Sequence, residues 1–237
     1  MADFKTHLSV AGTLSGVLAI GCLHTGLAEP KDALLFFAMG TVGGILPDID
    51  SDHSVPVNIL FSCLATLAAF FSVFSKIGTY SIVESILLWL VVFVIVRYLV
   101  FELFKRFTVH RGVFHSLLAA VFFCFLSATL LYDVFALSSV LAWLSGGFIL
   151  VGYLIHLLLD ELYSVDMMGV RLKKSFGTAL KPISFTYLKA SIALIAATLA
   201  LYLFVPELAS VIQEVGDVKL YEAIRHNLLP GDGWFGF

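Results

Sequence analysis

His110-Arg111-Gly112-Val113-Phe114-His115-Ser116 stands between two long apolar runs, about Tyr80 to Val100 and about Ser116 to Leu131. Two imidazoles, a guanidinium and a hydroxyl are costly there unless they find partners, because hydrocarbon offers no hydrogen bonds. Apolar runs approaching ~20 residues on either side of such an island have the length of membrane spans. Without the alternation of a closed barrel they must be helices. The island is then a loop at a membrane face, where polar groups from other parts of the chain can gather.

Composition agrees. The chain has 237 residues, 60% hydrophobic and 13% charged, with a mean hydropathy of +1.00. A soluble domain would carry roughly a quarter charged residues. The net charge of −3 is mild and the basic residues form no patch, so no nucleic-acid partner is expected. Cys22, Cys63 and Cys124 are scattered singly through apolar runs, which suits small buried apolar residues rather than a thiolate metal site. No convincing cleavage site follows Met1 to Thr6, so the first helix reads as retained.

Seven apolar segments follow from this reading, at about His7–Gly26, Ala33–Leu46, Val55–Phe74, Tyr80–Val100, Ser116–Leu131, Leu137–Leu159 and Tyr187–Val205. The expected fold is all-α, a polytopic transmembrane helix bundle of about seven spans over residues 1–205. The first segment is rich in Gly and Ala, which suits close helix packing in lipid. After Pro206 the pattern changes. Leu208, Val211, Ile212, Val215, Val218 and Ile224 keep approximate helical spacing with charges between them. Residues 206–237 are therefore expected to form an interfacial tail built on one amphipathic helix, with Trp234, Phe235 and Phe237 at the membrane interface.

Positive charges orient the bundle. Lys5, Lys105, Arg106, Arg111, Arg171, Lys173, Lys174, Lys181 and Lys189 fall on one side of a seven-span chain. Only Lys31, Lys76, Lys219 and Arg225 fall on the other. The excess predicts that the first side is cytoplasmic. The same side receives His7, Asp48, Asp50, His110, His115, His156 and Asp160, so four separate pieces of chain bring ionisable groups to one membrane face.

Their spacing points to a metal. His156 and Asp160 are four apart and share a helix face. They can bind one ion together, or the carboxylate can orient the imidazole. His110 and His115 flank Gly112, whose turn can aim both inward. Asp48 and Asp50 follow the helix-ending Pro47 and can flank or bridge a cation. His7 joins by falling at the same face. Asp52 and His53 are not distinguished from surface residues and stay outside the set. A single catalytic zinc takes about three protein ligands and a water. Four histidines and three aspartates therefore suggest two metals, and a donor set of nitrogen and oxygen suits zinc, manganese or iron. Arg111 offers a planar donor for phosphate or carboxylate.

Three motifs carry a resemblance: Leu46-Pro47-Asp48-Ile49-Asp50, His110-Arg111-Gly112-x-x-His115-Ser116, and Gly152-Tyr153-x-x-His156-x-x-x-Asp160. Together they resemble the YdjM-like family of bacterial inner-membrane, predicted metal-dependent hydrolases, over about Thr6 to Pro182. His7 fits the same pattern. The family is distantly likened to zinc-dependent phospholipase C. The resemblance implies a multi-pass protein of the bacterial inner membrane, with metal held by His7, Asp48, Asp50, His110, His115, His156 and Asp160. It also implies that Arg111 and Ser116 support the site. One departure is that Ser51 stands where relatives often carry a histidine after the Asp-Ile-Asp run.

The expected function is a membrane-embedded metal-dependent hydrolase with a dinuclear centre at the cytoplasmic face, holding two zinc ions or, in their place, manganese or iron. Asp48, Asp50 and Asp160 are candidate general bases, and Arg111 and Ser116 are candidate substrate-binding groups. A site at head-group depth suggests a lipid or another phosphoester as substrate, with membrane lipids as partners. The alternative is a metal-ion transporter or channel, because intramembrane ionisable residues also mark ion pathways. Transporters, however, usually bind near the midplane between repeated halves, and no repeat is visible here.

Overall fold

The computed structural model describes the backbone of residues 3–50, 55–74, 80–102, 113–166, 171–172 and 180–228. The side chains of residues 49–50, 55–57, 59–60, 63–64, 67, 71, 74, 165–166 and 171–172 are outside that description. The described chain is helical: α1 Phe4–His24, α2 Pro30–Gly43, a 3-10 turn Leu46–Asp50, α3 Val55–Phe74, and α4 Ile82–Val94, which continues as a π-helix over Ile95–Val100. Then come α5 Leu117–Asp133, α6 Ser139–Leu162, α7 Leu188–Tyr202, α8 Ala209–Gly216 and α9 Val218–Asn227. Val165–Asp166 and Arg171–Leu172 pair as a two-residue antiparallel ladder.

Local chemistry sets these ends. Asp3 caps α1 by accepting from Thr6 N at 2.8 Å. Glu29 and Asp32 form a capping box around Pro30 at the start of α2, where proline's missing N–H costs nothing. Ser116 and Ser138 cap α5 and α6. Past the end of α1, Gly26 adopts φ +78°, the left-handed conformation that glycine takes without a Cβ clash.

The chain forms two compact units, Met1–Pro47 with Val113–Phe237, and Asp48–Gly112. In the first, α6 is the central helix and packs on α1, α2, α5 and α8. Its buried residues, Ala142, Ser145, Gly146, Phe148, Ile149, Gly152, Tyr153, His156, Leu157 and Asp160, make one stripe along the helix. The facing stripe of α1 is His7, Ala11, Gly12, Ser15 and Ala19. Small residues let the axes approach closely, as expected where lipid removes the usual hydrophobic drive. A Cβ on Gly152 would strike the Gly40 carbonyl oxygen, and one on Gly44 would strike the Ala11 side chain. The second unit is a hairpin of α3 and α4, interlocked by Phe70, Trp89, Phe93, Phe61 and Phe101.

Among the described residues, three helices are long and apolar enough to cross a membrane: Phe4–His24, Ile82–Val100 and Ser139–Leu162. At 1.5 Å per residue, α2, α5 and α7 reach only about 21, 26 and 22 Å, short of a core of about 30 Å. Among the described residues, the count of about seven spans is therefore not confirmed. Hydrogen bonds fasten the tail to the rest of the first unit. Ser139 Oγ donates to the Glu207 carbonyl at 2.8 Å, Trp143 Nε1 to that of Pro206 at 2.9 Å, and Asn227 Nδ2 to that of His24 at 2.9 Å. These bonds fold residues 206–228 onto the ends of α1 and α6. The tail is two helices rather than one, broken at Asp217, whose carboxylate caps α9. Trp234, Phe235 and Phe237 lie outside the described residues.

Candidate metal centre

Two packing stripes end in ionisable groups. The stripe of α6 closes on His156 and Asp160, and that of α1 opens on His7. Where the small residues bring the two helices together, the three side chains meet, all nearly or fully buried. His115 joins them from the segment before α5 and is 6% exposed.

Asp160 is the hub. Its Oδ1 lies 3.2 Å from His7 Nε2, and its Oδ2 lies 3.6 Å from both His115 Nε2 and His156 Nε2. The His7 and His156 rings stack in parallel with centroids 3.6 Å apart, and His115 stands edge-on to His156 at 5.6 Å. Ligand atoms of His7, His156 and Asp160 all fall within 4.8 Å of one another. Four donors in tetrahedral array around zinc, at bonds of about 2.0–2.1 Å, sit about 3.3 Å apart. The three imidazole–carboxylate separations, 3.2, 3.6 and 3.6 Å, are close to that edge.

The tautomer of His156 is decided by its other nitrogen. Nδ1 lies 2.7 Å from the Gly44 carbonyl oxygen. A carbonyl only accepts, so Nδ1–H donates, and in the neutral ring Nε2 carries a lone pair. That lone pair faces a carboxylate oxygen, which also carries only lone pairs. Two buried electron-rich atoms at this distance call for a positive charge between them, a proton or a metal ion. A histidine fixed at one nitrogen by a backbone carbonyl and aimed with the other is the usual arrangement of a metal ligand.

Surrounding residues hold this geometry. Tyr153, one turn before His156 and fully buried, donates its hydroxyl to the Phe114 carbonyl, next to His115. The Ser116 hydroxyl donates to the Val113 carbonyl at 2.6 Å and accepts from Ala119 N at 3.3 Å. Leu117 N and Leu118 N donate to the carbonyls of Lys181 and Pro182. The start of α5, and His115 with it, is thus fastened to α6 and to the segment before α7. Ser116 is fully buried and its hydroxyl is engaged in capping. The structure gives it this capping part at the start of α5.

The chain belongs to the YdjM inner membrane protein family. The family model matches residues 1–212, which covers all four clustered residues and most of the described chain. Neither a curated protein nor a solved structure matches it.

Of the seven ligands expected for this YdjM-family chain, His7, His115, His156 and Asp160 come together. Asp48 is half-buried on the 3-10 turn and opens the second unit. The side chain of Asp50, and His110 and Arg111 entirely, lie outside the described residues, as do Ser51, Asp52, His53, Lys173 and Lys174. Two contributors went unassigned in the sequence. Tyr153 stood inside the quoted motif with no role attached, and its spacing of three from His156 was the available signal. The Gly44 carbonyl has no signal at all, since backbone oxygens leave no trace in a sequence.

Proposed function

We propose that the chain is a membrane-embedded, metal-dependent hydrolase that acts on a phosphoester at the membrane face. The observation that carries this reading is the lone pair of His156 Nε2 aimed at Asp160, with His7 and His115 on the same carboxylate. A divalent ion held by these residues would supply Lewis-acid chemistry, polarising a phosphoryl oxygen and acidifying water at neutral pH. His156, locked by Gly44, would keep one donor in a fixed direction. Asp160 turns its two oxygens to different imidazoles, which suits a carboxylate shared between two ions. A catalytic zinc takes about three protein ligands and keeps a position for water, so these four residues exceed what one such ion needs. Asp48, Asp50 and His110 are the sequence's candidates for a second, Arg111 for an anionic group of the substrate, and Asp48, Asp50 or Asp160 for a base. Zinc is the first choice of ion, with manganese or iron next.

A lipid head group is the favoured substrate class. His7 lies three residues after the start of α1, Asp160 two before the end of α6, and His115 two before the start of α5. All three lie close to helix ends, at the depth of head groups rather than at mid-span, and this gives transport no particular support. The excess of positive charge supports a cytoplasmic position for that end of a multi-pass inner-membrane protein. The test is a screen of phospholipids and soluble phosphodiesters with zinc- or manganese-loaded full-length protein, with His156→Ala as control. Hydrolysis by the wild type and none by the variant is the expected result. A fully metal-loaded protein that cleaves no phosphoester, and moves a cation across reconstituted vesicles instead, would overturn the reading.

A further inference from the structure

The second unit holds a half-buried cation that the metal centre does not use. Arg97 lies in α4's π-helical continuation, inside one of the three spans, Ile82–Val100. No residue of α4 is buried, so this helix presents apolar side chains nearly all round. Within it, the half-buried guanidinium turns toward α3. Nε donates to Ser62 Oγ at 3.1 Å and one Nη donates to Asn58 Oδ1 at 3.1 Å. The rings of Tyr98 and Phe101 lie 5.5 and 5.2 Å from its central carbon.

Both hydrogen-bond acceptors are neutral. Among the described residues, Arg97 has no carboxylate partner. A guanidinium has five N–H donors in a planar fork, so two bonds leave three donors and the whole charge uncompensated. Such a charge at the edge of hydrocarbon is costly without an anion. We propose that Arg97, with Asn58 and Ser62, binds the phosphate of an anionic lipid head group.

Depth agrees with this ligand. Arg97 is three residues from the end of the span, about 4.5 Å along the axis at 1.5 Å per residue. Asn58 and Ser62 stand in the first turns of α3, which begins at Val55. That end of the hairpin lies where hydrocarbon meets phosphate. The two bonds to α3 and the flanking rings fix the plane of the fork, and its remaining edge suits bidentate phosphate. The wide turn of a π-helix, often found at functional sites, carries the residue. This site is independent of the proposed hydrolase and its ions.

The test uses full-length protein in neutral detergent, titrated with phosphatidylglycerol, phosphatidylcholine or inorganic phosphate. Native mass spectrometry counts retained lipid and thermal unfolding reports stabilisation. Wild type should retain one phosphatidylglycerol in preference to phosphatidylcholine and gain stability from it. Arg97→Gln should weaken that retention at least ten-fold. Asn58→Asp is the second variant, because it places a carboxylate beside the guanidinium and preserves the fold. It should lose the phosphatidylglycerol retention while gaining stability without lipid, and its metal content should equal that of the wild type. Equal retention of the two lipids by wild type, or wild-type retention by Asn58→Asp, would show a mere interhelical clamp and overturn the site. Displacement of the lipid by millimolar phosphate would overturn its assignment to a head group.

Discussion

At the scale of residues, the site is a carboxylate surrounded by imidazoles, and its members should fail in different ways. Asp160→Asn keeps the volume and removes the charge on which His7, His115 and His156 converge. Metal content should collapse while the helices still form, as circular dichroism would report. Tyr153→Phe removes only the hydroxyl that donates to Phe114. It should cost about 1 kcal/mol of stability and lower metal affinity by about 10–100-fold, the usual effect of losing an outer orienting group. Isothermal titration with zinc separates the two variants. His156 and Asp160 were legible in the sequence from helical spacing, and His7 and His115 from falling on the same side by charge. Arg97 was not, because one charge barely shifts the average of the apolar run Tyr80–Val100. The Gly44 carbonyl could not be, because it belongs to the backbone.

At the scale of elements, small residues decide how closely α6 approaches α2. Gly152→Ala forces a methyl into the Gly40 carbonyl and should destabilise by about 1–3 kcal/mol, the cost of overpacking, with loss of metal as Gly44 moves away from His156. Gly147 lies on the same helix with open space where a Cβ would go. Gly147→Ala should be neutral or stabilising by up to about 1 kcal/mol, from helix propensity alone. Reversible denaturation of both variants checks the contrast. The cap of α1 responds to acid. Hydrogen bonds from Thr6 hold the Asp3 carboxyl below its usual value of 3.8. Its contribution to the first turn is therefore complete above that value and is lost as pH falls through the lower folded one. Hydrogen exchange at Thr6 should accelerate in that range. Helix positions were legible from hydropathy to within a few residues, since apolar runs and capping residues mark them. The break at Asp217 was not, because the apolar spacing runs through it while the cap ends one helix and starts another.

At the scale of the molecule, hydrogen bonds sort the ends of the first unit. Leu117 and Leu118 reach the segment before α7, while Trp143 and Ser139 reach the segment after it. The start of α5 therefore lies at one end of this unit and the start of α6 at the other. With the charge bias, a cysteine in place of Ser51 should be labelled from the cytoplasm only. A cysteine in place of Ala136, exposed between α5 and α6, should be labelled from the opposite side. The reverse pattern would invert the orientation. Family membership and membrane character were readable from motifs and composition. The division at Pro47 and Gly112 was not, because it rests on which helices touch, and helix–helix contacts in lipid follow small-residue fit rather than hydrophobic pattern.

The central claim is that His7, His115, His156 and Asp160 hold a divalent metal, and elemental analysis of purified full-length protein tests it most directly. After equilibration with zinc or manganese at neutral pH, wild type should carry about two ions per chain, the number of a two-metal centre, and Asp160→Asn fewer than one. Wild-type protein that stays free of metal under the same conditions, or an Asp160→Asn variant that binds as much as wild type, would contradict the account.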